Sequence, residues 1–381
     1  MLKVLKYNIF FLFLIFFSNS LNADIKIISW GGEYQNVQDK IYGKLYSEIF
    51  NKKLIWLNWK EKNLEEIINI FNSNSMTNNG IDIFDLLIDD AITYNNIQKS
   101  CENGDLFAFD INKDILQAPD GTLPDNDYIT STLNKCLIGN LIFSWNYAFN
   151  LNNINQLPNN AKDFFDTKKF PGKRGIHISP KRNIEFALIA DGVKNKAVYK
   201  VLNGQKNAIQ RAIIKIDKLC TDPNGGCIFW SLGSEPLELL KQQKVVMSTG
   251  WSNRFFELEI KNNFPIQQVW NDQILDYEFF AVNNHSKYKN LSLDFIKSIT
   301  ATDISSNFSK EIPYSPWRKS SLSILKNHDS HYKDSNVKIY DFIPTSDINF
   351  NEHIFIDHEY WSNNLNKVNS EWEKKIIDKF K

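Results

Sequence analysis

Apolar residues in the first third of the chain follow two alternating spacings. Residues 25–30 (IKIISW), 54–57 (LIWL) and 85–88 (DLLI) are short apolar runs, typical of strands buried on both faces. Between these runs, residues 37–49 carry apolar positions at steps of four, and residues 64–71 follow the i, i+3, i+4, i+7 spacing of an amphipathic helix. This β-α-β-α-β order predicts a parallel sheet covered by helices.

The same order recurs later in the chain. Residues 175–178, 245–248 and 279–282 are predicted strands, residues 184–190 a predicted helix, and residues 372–380 a charged terminal helix. A length of 381 residues, at about 150 residues per domain, favours two domains. We therefore expect an α/β fold whose sheets are mostly parallel and flanked by helices.

The N-terminus has the layout of a secretory signal peptide. Lys3 and Lys6 precede a run at residues 7–17 that is apolar except for Asn8, and the small residue Ala23 follows a polar stretch. The alternative is a membrane anchor, but a span needs about 20 apolar residues and this run is much shorter. We expect cleavage near Ala23 and an exported, periplasmic protein.

Charge excludes two classes of protein. The chain has 44 Lys and Arg against 44 Asp and Glu, whereas nucleic-acid binders carry a basic excess. A hydrophobic fraction of 43% is too high for a disordered chain. The predicted signal peptide removes two lysines and no acid, so the exported part is slightly acidic.

Four cysteines all lie beyond the predicted cleavage site, and an oxidising compartment favours disulfides. Cys220 and Cys227 flank a Pro-Asn-Gly-Gly turn, so we pair them and leave Cys101 with Cys136. Four cysteines allow three connectivities, and this pairing is a preference. No C-x-x-C spacing with a nearby histidine is present, so we expect no metal and no cofactor.

Ligands of open α/β sheets bind beyond the carboxyl ends of the strands, and this rule selects the candidate residues. Asp276 and Glu278 are placed just before the strand at 279–282, and Tyr314 in a rigid turn at 312–316. The set is dominated by aromatic and charged side chains. Its members are Trp30, Tyr34, Asp89, Asp90, Arg182, Glu185, Trp251, Arg254, Asp276, Glu278 and Tyr314.

Aromatic rings next to carboxylates suit a cationic ligand. The face of an aromatic ring attracts an ammonium group by about 0.5–2 kcal/mol, and a carboxylate adds a charge-assisted hydrogen bond. Any one of these aromatic residues alone would more often be a core residue. Their coincidence at the predicted strand ends favours a binding site for an amine.

Several stretches resemble the spermidine/putrescine-binding group among the extracellular solute-binding proteins of ABC transporters. The most specific are residues 163–174 (DFFDTKKFPGKR) and 184–193 (IEFALIADGV). The supporting stretches are 29–34 (SWGGEY), 230–234 (WSLGS), 250–254 (GWSNR) and 313–316 (PYSP). The resemblance covers nearly the whole exported part of the chain.

This resemblance implies a two-lobed periplasmic-binding-protein fold of type II that closes on its ligand through a hinge. It implies an N-lobe of residues 24–141 plus 278–318 and a C-lobe of 142–277 plus 319–381. The implied function is the capture of a polyamine and its delivery to a membrane permease of an ABC importer. We expect a monomer that binds a small molecule and no nucleic acid.

The resemblance also implies roles for individual residues. Trp30, Tyr34, Trp251 and Tyr314 match aromatic residues that pack on the ligand. Glu185 and Glu278 match acids that bind amino groups, and Asp89 or Asp90 falls where a strand end lines the site. Ser234 lies in a loop that can reach the ligand.

Three positions depart from the family pattern. Arg182 stands where the spermidine-binding pattern has an acid, Arg254 stands where some putrescine-binding relatives have one, and Asp276 replaces an aromatic residue. The two arginines either pair with acids of the pocket or hold a carboxylate of the ligand. The alternative ligand is therefore an amino-acid-like or opine-like amine with a carboxylate on Arg182 or Arg254.

An enzyme is the remote alternative. The chain has no G-x-S-x-G, no H-E-x-x-H and no phosphate-binding glycine loop. His353 and His358 lie near Asp357 and Glu359, and we interpret this cluster as a polar surface segment. We expect no catalytic residues.

Overall fold

A computed structural model describes residues 24–62, 64–71, 73–88, 91–327, 331–332 and 336–380. The predicted signal peptide lies outside these residues. No helix of the described part is long and apolar enough to cross a membrane.

The described residues contain ten strands that join in one mixed sheet. The strands are β1 Lys26–Ser29, β2 Ile55–Asn58, β3 Ile83–Leu87, β4 Ile138–Asn150, β5 Arg174–His177, β6 Cys227–Trp230, β7 Met247–Trp251, β8 Ile266–Val282, β9 Ser315–Pro316 and β10 His353–Phe355. Their order is β2-β1-β3-β8-β4-β7-β5-β6, with β10 beside β8 and β9 beside β4. The predicted strands near residues 27, 56, 86, 176, 248 and 280 are all present, with shifted ends.

Helices cover the sheet. They are α1 Gly32–Gln38, α2 Lys44–Phe50, α3 Leu64–Ile70, α4 Ser73–Met76, α5 Ala91–Glu102, α6 Ile111–Asp114, α7 Pro124–Asp127, α8 Ala161–Phe165, α9 Asn183–Ala190, α10 Val198–Gly204, α11 Ala208–Thr221, α12 Glu235–Lys241, α13 Ser252–Phe256, α14 Lys289–Ile299, α15 Thr302–Glu311, α16 Lys319–Asn327, α17 His358–Trp372 and α18 Asp378–Phe380. Wider π-helical turns at Asp39–Gly43, Glu257–Lys261 and Glu373–Ile377 continue α1, α13 and α17.

The two central strands, β4 and β8, are long enough to belong to both halves of the sheet. They pair antiparallel over nearly their whole length, with register shifts at Gly139/Leu141 and Trp145/Tyr147. The end of β8 pairs with β3, and the end of β4 pairs with β7. One half of the sheet is therefore β2-β1-β3, the other is β7-β5-β6, and β4 with β8 connects them.

Each half has apolar cores on both faces. Neighbouring residues of a strand point to opposite faces, so Ile27 and Ile28 enter different core clusters in the first half. In the second half, Tyr147 and Ala148 likewise enter separate clusters. The separate cores fit an α/β fold with two lobes. The lobe boundaries given above stay a prediction.

Two sequence-based expectations about strands need correction. Asp276 and Glu278 do not precede a strand but lie inside β8, because this strand begins at Ile266. The expectation of mostly parallel sheets missed β4, whose 13 residues are all buried. Polar residues of β4 such as Asn140, Ser144 and Asn146 interrupt its apolar run, yet they are buried with the rest of the strand.

Both preferred cysteine pairs form disulfides, Cys101–Cys136 and Cys220–Cys227. The first joins the end of α5 to the segment before β4, and the second joins the end of α11 to the start of β6.

Candidate functional site

Aromatic rings from both halves of the sheet meet beyond the ends of β1 and β7. Tyr34 on α1 meets Tyr314 edge-on, with ring centroids 5.9 Å apart. Trp251, the last residue of β7, packs against the same core cluster as these two tyrosines. Trp30 instead packs toward Trp59 of the other core cluster, with centroids 6.2 Å apart. Three of the four predicted aromatic residues thus border one core cluster, and two of them, Tyr34 and Tyr314, contact each other.

Two glycines allow α1 to start directly after β1. Gly31 has φ +71° and Gly32 has φ +64°, both in the left-handed region that favours glycine. A Cβ atom on Gly31 would lie 2.4 Å from Nδ2 of Asn58 at the end of β2. The tight turn therefore requires glycine, and it places Tyr34 in the first turn of α1 beyond the sheet.

A buried hydrogen-bond network holds the Tyr34 hydroxyl. Asn140 Nδ2 donates to the Tyr34 oxygen at 2.8 Å and to Asp85 Oδ1 at 3.2 Å. The same hydroxyl lies within hydrogen-bond reach of the carboxylates of Asp85 and Glu278. Burial, then the negative charges of Asp85 and Glu278, raise the pKa of Tyr34 well above its usual value. Tyr34 therefore keeps its proton.

Arg254 approaches the same site from the second half of the molecule. It lies on α13 and lines a cleft together with Tyr34, Tyr314 and Glu257. Its Nη1 atom is 3.3 Å from Glu257 Oε2, and 44% of its side chain is exposed. Burial raises the pKa of Tyr314, the charge of Glu278 raises it further, and the charge of Arg254 lowers it. Glu278 and Arg254 thus act on the Tyr314 hydroxyl with opposite charges, and Glu257 and Glu33 act in the same direction as Glu278.

An ion pair crosses the mouth of this cleft. Lys261, in the π-helical turn after α13, binds Glu33 of α1. Glu257 is 4.0 Å from the same ammonium group. Since Glu33 and Lys261 come from the two halves of the sheet, this pair joins the halves beside Tyr34.

Asp276 lies at the centre of a second, fully buried ion cluster. Arg182 Nη2 is 2.6 Å from Asp276 Oδ2, Lys181 Nζ is 3.8 Å from the same oxygen, and His358 Nε2 is 2.8 Å from Asp276 Oδ1. Lys181 also donates to the Ile88 carbonyl at 3.0 Å. This bond links the start of α9 to the end of β3, across the two halves.

The cluster fixes the charge of Asp276. Burial opposes its ionisation, but His358, Lys181 and Arg182 outweigh burial and hold the pKa of Asp276 well below its usual range. Burial, together with Lys181 and Arg182, lowers the pKa of His358 despite Asp276. We therefore assign a neutral His358 between an anionic Asp276 and two cations at pH 7.

Glu185 is 0% exposed and accepts hydrogen bonds from three groups of the protein. Tyr199 and Trp361 donate to Oε1 at 2.8 and 2.5 Å, and the Arg182 backbone N–H donates to Oε2 at 2.8 Å. Burial raises the pKa of Glu185, while these donors lower it. The carboxylate supports the start of α9, where Arg182 has a strained φ of +75°.

The remaining candidates are dispersed or lie elsewhere. Ser234 is exposed and precedes α12, and its hydroxyl does not cap that helix. Asp89 and Asp90 fall outside the described residues. The ligand roles of Trp30, Asp276, Glu185 and Ser234 stay predictions. The described residues hold no group of three or more potential metal ligands.

Sequence reasoning missed several residues of the two clusters. Asp85 and Asn140 are polar residues within buried strands, and an acid inside the apolar run FDLLI was a signal that could have been used. His358 was interpreted as part of a polar surface segment, which is wrong, because it is 2% exposed and faces Asp276. No local spacing relates His358 to Asp276, which lies 82 positions earlier in the chain.

A family model described as bacterial extracellular solute-binding protein matches residues 57–335. The chain belongs to this family. By family it is an extracellular solute-binding protein. This membership implies a periplasmic location.

Individual relatives add detail. A gamma-aminobutyric acid-binding protein of Pseudomonas aeruginosa is 29% identical over 234 residues, which are 61% of this chain and 62% of that protein. The match thus spans less than two thirds of the relative. The Atu4243–GABA receptor has a TM-score of 0.71 at 20% identity and covers 93% of this chain and 97% of its own. The binding protein MotA of A. tumefaciens B6 with glucopine has a TM-score of 0.68 at 20% identity, covering 93% and 99%. At such identity, the two structures show a shared fold alone.

Proposed function

We propose that this solute-binding protein captures a small solute that carries both an ammonium group and a carboxylate, as amino acids and opines do. The observation that carries the proposal is that Tyr314 and Arg254 line one cleft, while the charges of Glu278 and Arg254 act on this tyrosine in opposite directions. A solute lying along this tyrosine would meet an anion at one end and a cation at the other. A polyamine has no group that would benefit from Arg254.

The ammonium group would bind at the end formed by Tyr34, Tyr314 and Glu278. The rings offer their faces to a cation, and Glu278 offers a charge-assisted hydrogen bond. Trp251 would pack against the carbon chain of the solute, since it lies in the same cluster as both tyrosines. This part of the proposal agrees with the amine ligand that we expected from the sequence.

The carboxylate would bind to Arg254 rather than Arg182. Arg182 contacts Asp276 in a buried cluster, with 4% of its side chain exposed. Arg254 is 44% exposed and makes one long contact of 3.3 Å with Glu257, which a carboxylate of the solute can replace. A planar guanidinium group is well suited to hold a carboxylate through two hydrogen bonds.

The relatives support the carboxylate. One relative by sequence is named for γ-aminobutyric acid, and structures of the same fold were obtained with glucopine and agropinic acid. Each of these compounds carries an acid group, and none is a polyamine. We also propose that closure of the two lobes traps the solute and that the closed form delivers it to a membrane permease.

The test is a binding screen on the protein lacking residues 1–23. Thermal shift and calorimetry would compare γ-aminobutyrate, agropinic acid, glucopine, putrescine and spermidine. We expect an acid-bearing solute to bind best, and Arg254→Gln to weaken it by at least about tenfold, the value of a charged hydrogen bond of 1.5–3 kcal/mol. Glu278→Gln is expected to weaken the same solute comparably.

The matched control is Arg211→Gln, which removes an exposed arginine paired with Asp191 far along the chain from the cleft. It should leave binding unchanged. Tight binding of putrescine or spermidine, unaffected by Arg254→Gln, would instead establish the polyamine alternative.

A further inference from the structure

Asp85 is a buried acid that the proposed ligand contacts do not use. It lies in the middle of β3, is 0% exposed, and is within hydrogen-bond reach of the hydroxyl of Tyr34. In the described part of the chain, its contacts are with neutral groups, and no cation pairs with its carboxylate. A buried anion without a neighbouring cation lowers the stability of the folded protein, so we looked for a functional role of Asp85 beside the site.

The surroundings of Asp85 are neutral donors from three elements. Gln38 Nε2 of α1 donates to Oδ2 at 2.7 Å, and the Ser29 hydroxyl of β1 lies 2.9 Å from the same oxygen. Asn140 Nδ2 of β4 donates to Oδ1 at 3.2 Å. These bonds orient the carboxylate toward Tyr34 and leave its charge without a counterion.

The charged group facing this network is Glu278 on β8, which is antiparallel to β3. Its charge and that of Asp85 both act on Tyr34 and on Tyr42, the other titratable group here. Asp85 pairs with Phe280 across the ladder and Leu87 pairs with Glu278, so the two acids lie on the same face of the sheet as diagonal neighbours. Two carboxylates this near each other repel, which favours keeping one proton between them. Burial raises the pKa of Asp85 to about 6, although its hydrogen bonds oppose this shift.

We propose that Asp85, Tyr34 and Glu278 form one ammonium-recognition unit that shares a single proton when empty and releases it to solvent when a cationic group binds. Asp85 is the positioning residue: it holds the Tyr34 hydroxyl and supplies the second negative charge. Charge and protons balance: one O–H bond breaks, the proton goes to solvent, and the positive charge of the bound ammonium group replaces that of the proton. The inference rests on the proposed function for its ligand.

The first arm of the test needs no ligand. The carboxyl carbons of the empty protein are titrated by NMR, and the Asp85 signal is identified by its absence in Asp85→Asn. We expect a midpoint near 6 in the unmodified protein, and a fall of about one pH unit or more in Glu278→Gln, because the repelling charge is gone. An unchanged Asp85 midpoint in Glu278→Gln overturns the shared proton.

The second arm measures γ-aminobutyrate binding by calorimetry from pH 5 to 8 in buffers of different ionisation enthalpy. We expect proton release near pH 6 and about tenfold weaker binding at pH 5 than at pH 7. In Asp85→Asn, binding is weaker at pH 7 and its dependence on pH is lost. A merely structural role would weaken binding equally at every pH, and that result overturns the proposal.

Asp82→Asn is the matched control. Asp82 is another buried acid just before β3, bonded to the Lys26 N–H and to Ser286 at the opposite end of the strand. It should keep both the proton release and the pH profile. If γ-aminobutyrate does not bind the unmodified protein at all, the proposed function fails for this solute, while the first arm still decides whether the proton is shared.

Discussion

Replacing Asp276 by asparagine tests whether the buried ion cluster holds the two halves of the protein together. The change keeps the shape of the side chain and removes one negative charge. Arg182, Lys181 and His358 would then surround a neutral amide, and the two cations have side chains only 4% and 3% exposed. Neither cation could recover its hydration without opening the interface between α9 and β8.

The expected loss follows from this burial. Removing one partner of a buried ion pair costs about 3–5 kcal/mol, because the remaining charge stays buried without compensation. In a domain of this size, 1 kcal/mol shifts the melting temperature by about 2–4 °C, so we expect Tm to fall by roughly 10 °C. The bond from Lys181 to the Ile88 carbonyl should weaken as well, since Lys181 is held near Asp276.

The pH dependence gives a second signature. The pKa of Asp276 is held below its usual range, so its contribution to stability is present above the unfolded pKa of about 3.9 and is lost as pH falls toward the folded value. The difference between the unmodified protein and Asp276→Asn should therefore be constant from pH 5 to 7 and shrink below about pH 4.

The assay is urea denaturation followed by tryptophan fluorescence and far-UV circular dichroism, whose coincidence checks two-state behaviour. The matched control is Asp217→Asn, which breaks an ion pair of 2.5 Å with Lys379 whose side chains are 34% and 47% exposed. Exposed pairs contribute about 0–1 kcal/mol. If Asp276→Asn costs no more than this control, the cluster does not hold the halves together and our reasoning about burial is wrong.

Three further predictions follow from other parts of the structure. Trp361→Phe removes a hydrogen-bond donor to the Glu185 carboxylate and should cost about 1–3 kcal/mol of unfolding free energy, measured by urea denaturation. Because burial raises the pKa of Glu185, the ionised form that this donor stabilises is less populated at low pH, so the loss should be larger at pH 7 than at pH 5. An equal loss at both pH values would contradict this. Replacing Cys101 and Cys136 by serine should cost about 4 kcal/mol of stability, because this disulfide closes a loop with a separation of 35 residues. Replacing Cys220 and Cys227 should cost about 2.5 kcal/mol, because that loop has a separation of 7 residues. Thermal unfolding that reverses this order would refute the dependence on loop length. Because the pKa of Asp85 is raised to about 6, the free energy of unfolding should fall by up to about 3 kcal/mol as the pH rises from 4 to 6. In Asp85→Asn, urea denaturation should show no such fall.

Hydrophobic spacing predicted the helices and strands that can be recognised from a short local pattern of apolar residues. The helix at 184–190 and the strands near residues 27 and 176 were found as short, mostly apolar stretches, and nearly all of their residues are buried. The strand β4 was missed because Asn140, Ser144 and Asn146 interrupt its apolar run, although these polar residues are buried as well. The start of β8 was misplaced for a related reason: the strand crosses both halves, so its pattern changes along its length.

The sequence predicted which residues form charged clusters near the strand ends, but not which of the two clusters each residue belongs to. The rule of strand ends selected Tyr34, Glu278 and Tyr314, and the structure brings them together beside Arg254. The same rule selected Asp276, which the structure places in a separate cluster with Arg182. Residues of one type look alike in a sequence, whereas their roles depend on which charges lie within a few ångströms.

The sequence by itself indicated the fold class and a preferred pairing of the cysteines, and it predicts export and an amine site, because each of these inferences depends on local spacing or residue chemistry. The tertiary structure decided how the charges are paired. It joined Asp276 with Arg182 and His358, at separations of up to 94 positions, and it placed Arg254 and Tyr314 in one cleft. Pairing distance sets the sign and strength of electrostatic interactions, so which arginine faces the solute could be proposed only after folding brought these residues together.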